Sequence, residues 1–300
     1  MAKYIITGGS GMVGKRLTEM LVQERNAVSI LSRKNIPDDF CKYYTWNIDK
    51  KEIDSSWLNQ TDTIIHLAGA GVADKKWTPA YKNEIYSSRI NSTRLLFETL
   101  KNKPHTIKTI VASSAIGIYG NDISETVNED SSSANTFLAK VCNDWENEVL
   151  KFETIGIRVV ILRTGIVLSD KGGFIAEIST PIKFFVGGAL GSGKQIMSWI
   201  HIDDLCRMYI KAAEDDQLVG VYNAVAPYPE SNSAITKKIA AQLHKPLLLP
   251  NVPIKIMNFL FGEMASMILA NQNVSCKKIQ QAGFHFKFND IDSALNDLIR

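Results

Sequence analysis

Cysteine is scarce in this chain of 300 residues, and no two cysteines are closely spaced. The four positions are Cys41, Cys142, Cys206 and Cys276. A zinc site needs Cys, His or carboxylate ligands at short, regular spacing, so we expect no metal centre. Isolated thiols are typical of a reducing compartment, which predicts a cytoplasmic protein without disulfides.

Long apolar runs and an excess of one charge are also absent. Lys and Arg number 34 and Asp and Glu number 31, for a net charge of +3. So small a charge, evenly distributed, does not predict nucleic-acid or membrane binding. The most apolar late stretch, 254–270, contains Lys255 and Glu263 and is too short and too polar to span a bilayer. The composition is that of a soluble globular protein of one large or two modest domains.

A glycine-rich segment near the start is the strongest signal that is present. Residues 7–14 read TGGSGMVG and lie between an apolar strand-like run and an amphipathic helix-like run. Gly8 permits a tight turn, Gly11 lets the backbone approach a pyrophosphate, and Gly14 lets the helix pack close to the sheet. The spacing predicts a dinucleotide site with the phosphates at the helix N-terminus. The predicted cofactor contacts here are Gly8, Ser10, Gly11, Met12 and Val13.

The end of the second predicted strand indicates which dinucleotide binds. NAD sites place a carboxylate there to hold the ribose 2′-hydroxyl, whereas this chain has Ser32, Arg33 and Lys34. A guanidinium pairs bidentately with a 2′-phosphate, and Ser32 adds a hydroxyl, so we expect NADP(H). The alternative is that Arg33 and Lys34 are solvated turn residues.

The pattern along the chain predicts an α/β fold. Short β-branched runs at 4–7, 28–31, 43–46, 63–67, 109–113 and 159–162 alternate with helical patterns, including one over 79–100. We expect a Rossmann-type doubly wound parallel sheet with a smaller, mainly helical C-terminal substrate domain. The predicted Rossmann domain covers 1–165, with 198–224 returning to it, and the smaller domain covers 166–197 and 225–300. The glycine-rich segment 187–193 has neither helix nor strand pattern and is expected to cover a site.

Motifs at the later strand ends resemble the extended short-chain dehydrogenase/reductases. The matching segments are the 7–14 loop, 66–69, 114–120, 163–165 and 199–204. Further matches at 142–146, 191–195 and 197–201, and a C-terminal stretch at 249–300, resemble an atypical branch, the epimerase family proteins, which carry a C-terminal domain of unknown function. The resemblance implies further cofactor contacts at Leu67, Ala68, Gly69 and Ser113, and a monomer or homodimer.

The same resemblance exposes a missing pair of residues. The superfamily normally uses a Tyr four residues before a Lys on the helix after the fifth strand, and these places fall near Leu138 and Cys142. Ser114 matches the superfamily Ser that binds the substrate oxygen, and Tyr119 is a substitute acid, so both are candidate catalytic residues. Tyr119 is alternatively an ordinary packing and turn residue. Cys142 is either a small buried filler or a functional thiol.

Two functions remain open at this level. The first is an NADP(H)-dependent oxidoreductase or epimerase-like enzyme on an unknown small molecule. The second is a catalytically silent NADP(H)-binding regulatory or scaffold protein, since fold does not fix function. The candidate substrate-side residues are Trp77, Tyr81, Glu84, Ser88 and Arg89, and also Lys194, Gln195 and Trp199. Arg89 or Lys194 would be the charge partner of an anionic ligand.

Overall fold

The computed structural model describes residues 2–34, 41–122 and 125–299. In these ranges the strands are β1 (Lys3–Thr7), β2 (Ala27–Ser32), β3 (Lys42–Asn47), β4 (Glu52–Ile53), β5 (Thr63–His66), β6 (Thr109–Ala115), β7 (Arg158–Thr164), β8 (Ile166–Ser169), β9 (Gly172–Gly173), β10 (Ile196–Met197), β11 (Trp199–His201), β12 (Gly220–Ala224) and β13 (Glu230–Ser231). The helices are α1 (Met12–Gln23), α2 (Pro79–Asn102), α3 (Phe137–Leu150), α4 (Phe174–Lys183), α5 (Ile202–Glu214), α6 (Asn232–Gln242), α7 (Ile254–Phe261), α8 (Ala265–Ile268), α9 (Lys277–Gln281) and α10 (Ile291–Leu298).

The central sheet has eight strands in the order β12-β7-β6-β5-β1-β2-β3-β4. All neighbours are parallel except the short edge strand β4, which is antiparallel to β3. This confirms the predicted doubly wound Rossmann-type architecture. The segment 198–224 divides between two sheets, because β12 joins the central sheet whereas β11 pairs with β8 in a separate three-stranded sheet.

Alternating strand residues fill a core on each face of the sheet. Tyr4 and Ile6 pack with α1 and α5, whereas Ile5 packs with α2 and α3 on the opposite face. Residues on both faces are apolar because helices cover both sides of a parallel sheet. Trp145 of α3 is 4% exposed and belongs to the core on the face covered by α2 and α3.

The C-terminal part packs in two places. One cluster joins β8, β11, α4, α6 and α10 around Trp199. Val274, Phe284 and Phe286 instead belong to the same cluster as β1, α1 and α5. Among the described residues, no helix is long and apolar enough to cross a membrane.

Candidate functional site

The predicted cofactor residues meet along one edge of the sheet. The register places Thr7 beside Leu31 and His66, and His66 beside Ala112, so β2, β1, β5 and β6 reach this edge together. In an open α/β sheet the carboxyl ends of the strands are where ligands bind. The predicted residues brought to this edge are Gly8, Ser10, Gly11, Met12, Val13, Ser32, Arg33, Leu67, Ala68, Gly69 and Ser113.

Two glycines in the 7–14 loop are required by close packing. Gly8 has φ of +73°, and a Cβ there would lie 2.8 Å from the Leu67 carbonyl carbon. A Cβ on Gly14 would collide with the carbonyl oxygen of Gly8. Gly11 closes the turn by donating its N–H to the Gly8 oxygen at 3.0 Å, and a Cβ there meets only that oxygen, at 3.3 Å. The loop therefore holds α1 against the ends of β1 and β5.

The N-terminus of α1 and the end of β2 present groups suited to phosphate. Gly11 precedes the helix, no side chain of the described residues caps it, and the first turn contains no acidic residue. The uncapped N–H groups and the positive end of the helix dipole favour an anion there. Arg33 follows β2 directly and is exposed.

A buried histidine fixes the end of β5 against β1. The Thr7 hydroxyl accepts the N–H groups of Leu67 and Ala68 at 3.1 and 3.2 Å, so its proton is directed to Nδ1 of His66 at 2.7 Å. His66 Nε2 therefore carries the ring proton and donates it to Thr93 at 2.9 Å. Burial lowers the pKa of His66 to about 3. A neutral histidine with both nitrogens occupied is a structural residue here.

Ser114 lies in a buried ion-pair network. It is 2% exposed, and its hydroxyl donates to Glu146 Oε1 at 2.6 Å. Glu146 also accepts two hydrogen bonds from Arg163, from Nε at 2.9 Å and from Nη2 at 2.8 Å. Burial alone lowers the pKa of Arg163, but its hydrogen bonds to Glu146 raise it overall. Ser114 thus contributes to fixing the end of β6 against α3 and β7.

Tyr119 belongs to the same network. Its hydroxyl donates to Asn223 Oδ1 at 2.8 Å and accepts from Arg163 Nη1 at 2.9 Å. The residue is 6% exposed, and burial raises its pKa. Asn223 in turn donates to the Ser275 carbonyl at 3.0 Å, which links the network to the C-terminal part.

The two helix positions where the superfamily has Tyr and Lys also face protein. Leu138 packs against Gly117, where a Cβ would lie 3.4 Å from that of Leu138. The Cys142 thiol contacts Ser114 and the Ala115 N–H, and burial raises its pKa to about 11, so it stays protonated. Lys140 is exposed and pairs with Asp144 at 2.7 Å.

Sequence reasoning missed the Glu146–Arg163 pair that organises this edge. Glu146 follows Trp145 on the buried face of α3, and Arg163 is the penultimate residue of β7, directly after the apolar run 159–162. A charge at each of two buried positions requires an opposite partner, and that requirement was the available signal.

The predicted substrate-side residues divide into two groups. Trp77, Tyr81, Ser88 and Arg89 bind the backbone of 70–72, which follows β5. Lys194 and Gln195 line a separate cleft of about 300 Å³, together with the glycine-rich segment and α7. Trp199 is fully buried and donates to the Tyr228 carbonyl at 3.1 Å, so it is a core residue.

The glycine-rich segment is held in place. Gly191 donates its N–H to Val252 at 2.8 Å, and Val252 donates to Ala189 at 2.7 Å. Leu190 donates to the side chain of Asn232 at 2.7 Å. The segment forms one wall of the cleft.

Comparison with protein families covers nearly the whole chain. Residues 4–225 match the model described as the NAD dependent epimerase/dehydratase family. The chain belongs to this family. Residues 252–298 match a second model, a domain of unknown function (DUF1731). Both matches confirm the resemblance to the epimerase branch of the extended short-chain dehydrogenase/reductases.

Individual relatives agree with this assignment. An epimerase family protein of Staphylococcus saprophyticus is 36% identical over 100% of both chains. The human epimerase family protein SDR39U1 (isoform 2), solved with NADPH, has a TM-score of 0.87 at 26% identity and covers 99% of both chains. A nucleoside-diphosphate sugar epimerase from Corynebacterium glutamicum has a TM-score of 0.80 at 32% identity, over 99% of this chain and 58% of that one.

Proposed function

We propose that this protein binds NADP(H) and is an oxidoreductase or epimerase-like enzyme that works on a small molecule without the Tyr and Lys pair of its superfamily. The observation that carries the proposal is the turn from β1 to α1. Side chains at Gly8 and Gly14 would fill space that the backbone needs, and the uncapped end of α1 faces the same edge. A relative that covers 99% of this chain was solved with NADPH, which supports the same cofactor here.

Different residues of the chain are proposed to bind different parts of the cofactor. In the proposed complex, N–H groups at Met12 and Val13 hold the pyrophosphate, while Ser32 and Arg33 hold the 2′-phosphate. Residues 67–69 and Ser113 line the side of the site beside β5 and β6. The bound cofactor supplies hydride transfer at its nicotinamide carbon. The Glu146 network keeps the end of β6 in position beside it.

Ser114 and Tyr119 remain the predicted catalytic candidates, and their surroundings favour a positioning role for both. Each hydroxyl already directs its proton to a protein acceptor, Glu146 or Asn223. This observation also favours the second candidate function, a silent NADP(H)-binding regulatory or scaffold protein.

Turnover separates the two functions. Purified protein is incubated with NADPH and a panel of carbonyl compounds while NADPH oxidation is followed by absorbance. Oxidation above the rate without protein supports an enzyme. Tight NADPH binding without oxidation across a broad panel supports the silent protein, and partner capture with and without NADPH then tests regulation.

The cofactor preference is tested at Arg33. Arg33→Asp removes a partner of the 2′-phosphate and adds a repulsive charge, so NADPH affinity should fall by about 10- to 100-fold while NADH affinity changes little. Calorimetric titration of both cofactors measures the difference. Lys3→Gln, on the exposed side of β1, is the matched surface control. Equal losses for both cofactors would contradict the assignment of Arg33 to the phosphate.

A further inference from the structure

Arg89 of α2 lies directly beside the proposed cofactor site. A Cβ on Gly69 would come within 2.9 Å of its Cζ, so the guanidinium packs against the backbone that follows β5. The face of the Trp145 ring lies beneath it, with the centroid 5.2 Å from Cζ. The positive charge thus lies at the same edge as the predicted contacts Leu67 and Ala68.

Arg89 differs from the other part-buried arginines in having no carboxylate partner among the residues that the structure describes. Five arginines of the described chain form ion pairs: Arg16 with Asp203, Arg94 with Glu148, Arg158 with Asp216, Arg163 with Glu146, and Arg207 with Asp204. Within the described ranges Arg89 forms no ion pair with an acidic side chain. A cation withdrawn from water without a counter-ion costs stability.

In the described part of the chain, the hydrogen bonds that Arg89 donates all come from one nitrogen. Nη1 donates to the carbonyls of Ala70 and Ile85, both at 2.9 Å. Nε and Nη2 have no hydrogen-bond acceptor among the described residues, yet they are not among the polar atoms sealed from solvent. These two nitrogens carry three of the five N–H donors of the guanidinium, so this side of the planar fork remains open to an incoming group.

A purely structural role explains only part of this arrangement. Pinning the segment 70–72 needs a single donor at Ala70, and three other α2-side residues already hold that segment, namely Trp77, Tyr81 and Ser88. An uncharged donor would serve as well without the cost of an unpaired charge. The open half of the guanidinium matches the two oxygens of a carboxylate or phosphate.

We propose that Arg89 binds an anionic group of the substrate, a carboxylate or a phosphate, and holds it at the end of β5. This inference rests on the proposed function for its position beside the nicotinamide. It predicts that substrates are small organic anions, and that neutral analogues of the same shape bind poorly.

The test measures anion binding by calorimetry at low salt, with malonate and inorganic phosphate as probes and neutral malonamide for comparison. We expect malonate or phosphate to bind and malonamide not to bind. Which of the two anions binds more tightly identifies the class of group. Arg89→Gln should weaken the preferred anion by roughly 10- to 100-fold, because a charge-assisted bidentate contact is lost.

Two further variants distinguish the specific effect of Arg89 from a general loss of positive charge and from misfolding. Arg94→Gln removes an exposed guanidinium from the same helix and should leave anion affinity within about twofold. Arg89→Lys keeps the charge but loses the fork, so its affinity should be intermediate. Circular dichroism confirms folding of each variant, and Arg89→Lys supplies the comparison if Arg89→Gln does not fold.

Titrations are run with and without NADPH to keep the two proposals apart. NADPH binding that survives Arg89→Gln, together with loss of anion binding, supports the inference. Failure of NADPH to bind contradicts the proposed function, whereas anion binding to the cofactor-free protein still tests Arg89. The inference is overturned if neither anion binds the unaltered protein, or if Arg89→Gln and Arg94→Gln bind anions equally.

Discussion

Glu146 connects the ends of β6 and β7 at the strand edge, through Ser114 and Arg163. It accepts hydrogen bonds from Ser114 and Arg163 while 6% exposed. Glu146→Gln leaves Arg163 as a buried charge without its counter-ion. Loss of one partner from a buried pair costs about 3–5 kcal/mol, so we expect the free energy of unfolding in urea to fall by about that amount.

An exposed ion pair supplies the control for Glu146. Glu19 pairs with Arg16 at 3.3 Å, and its side chain is 60% exposed. Glu19→Gln should change the free energy of unfolding by less than about 1 kcal/mol, because solvent screens exposed pairs. Similar small losses for both variants would show that the Glu146 network contributes little.

His66 makes stability depend on pH. Its folded pKa of about 3 lies below the ordinary value of 6.5, so on acidification the unfolded chain takes up a proton that the folded chain does not. The contribution is therefore present above the unfolded pKa and is lost as pH falls. This one group should remove about 2 kcal/mol from the free energy of unfolding between about pH 7.5 and about pH 5.

The measurement is a set of urea unfolding curves over that pH range. His66→Gln removes the titrating ring, so the variant should take up close to one proton fewer on unfolding at acidic pH. Its free energy of unfolding should therefore fall less steeply with falling pH, even though the variant is less stable. His285→Gln, at an exposed position, should keep the slope of the unaltered protein. An unchanged slope in His66→Gln would contradict the assignment.

At the scale of elements, glycine substitutions in the turn from β1 to α1 should distinguish effects on NADPH binding from effects on stability. Gly14→Ala forces a Cβ against the Gly8 carbonyl and should lower both NADPH affinity and stability. Gly11→Ala has ordinary φ of −74° and one contact at 3.3 Å, so its free energy of unfolding should fall by less than about 1.5 kcal/mol. Because Gly11 faces the predicted pyrophosphate, its NADPH affinity should still fall by about tenfold.

Calorimetry and urea unfolding on the same samples check this separation. Gly117→Ala, where a Cβ makes only ordinary contact at 3.4 Å, provides a third glycine for comparison. If Gly11→Ala binds NADPH as well as the unaltered protein, the predicted approach of a pyrophosphate at this turn is wrong.

Helices and strands with a regular spacing of apolar residues were predictable from the sequence. The helix expected over 79–100 is α2, which starts at Pro79 after the capping residue Thr78, whose hydroxyl accepts the Tyr81 N–H at 3.2 Å. The strand expected over 43–46 is β3. Local pattern and cap chemistry determine these elements, so a single sequence carries the information. The pairing of β11 with β8 depends on long-range contacts and was not predictable.

At the scale of the molecule, the site was predictable only where it is contiguous in sequence. The 7–14 loop is recognisable from the spacing of its glycines. Arg163 and Asn223, in contrast, contact Tyr119 from 44 and 104 residues away in the sequence. No local pattern indicates such partners. The same holds for Arg89, whose lack of a counter-ion within the described ranges becomes apparent only when the surrounding carboxylates are placed in three dimensions.

The C-terminal part shares a core with the dinucleotide-binding sheet, which predicts cooperative unfolding. Phe284 and Phe286 pack in the cluster of β1 and α5, and Asp204 of α5 accepts the N–H groups of Lys287 and Phe288 at 2.9 Å. Loss of these contacts uncovers the sheet, so neither part should unfold alone. Urea curves followed by tryptophan fluorescence and by far-ultraviolet circular dichroism should coincide.

A substitution in the shared core sharpens this expectation. Phe286→Ala should lower the free energy of unfolding by about 3–5 kcal/mol, because it removes a side chain that is 9% exposed. The midpoints of both curves should move together. Phe259→Ala, at a position that is 84% exposed, should change the free energy of unfolding by less than about 0.5 kcal/mol. Two separated transitions, or a shift in one probe alone, would mean that the C-terminal part is only docked on the sheet.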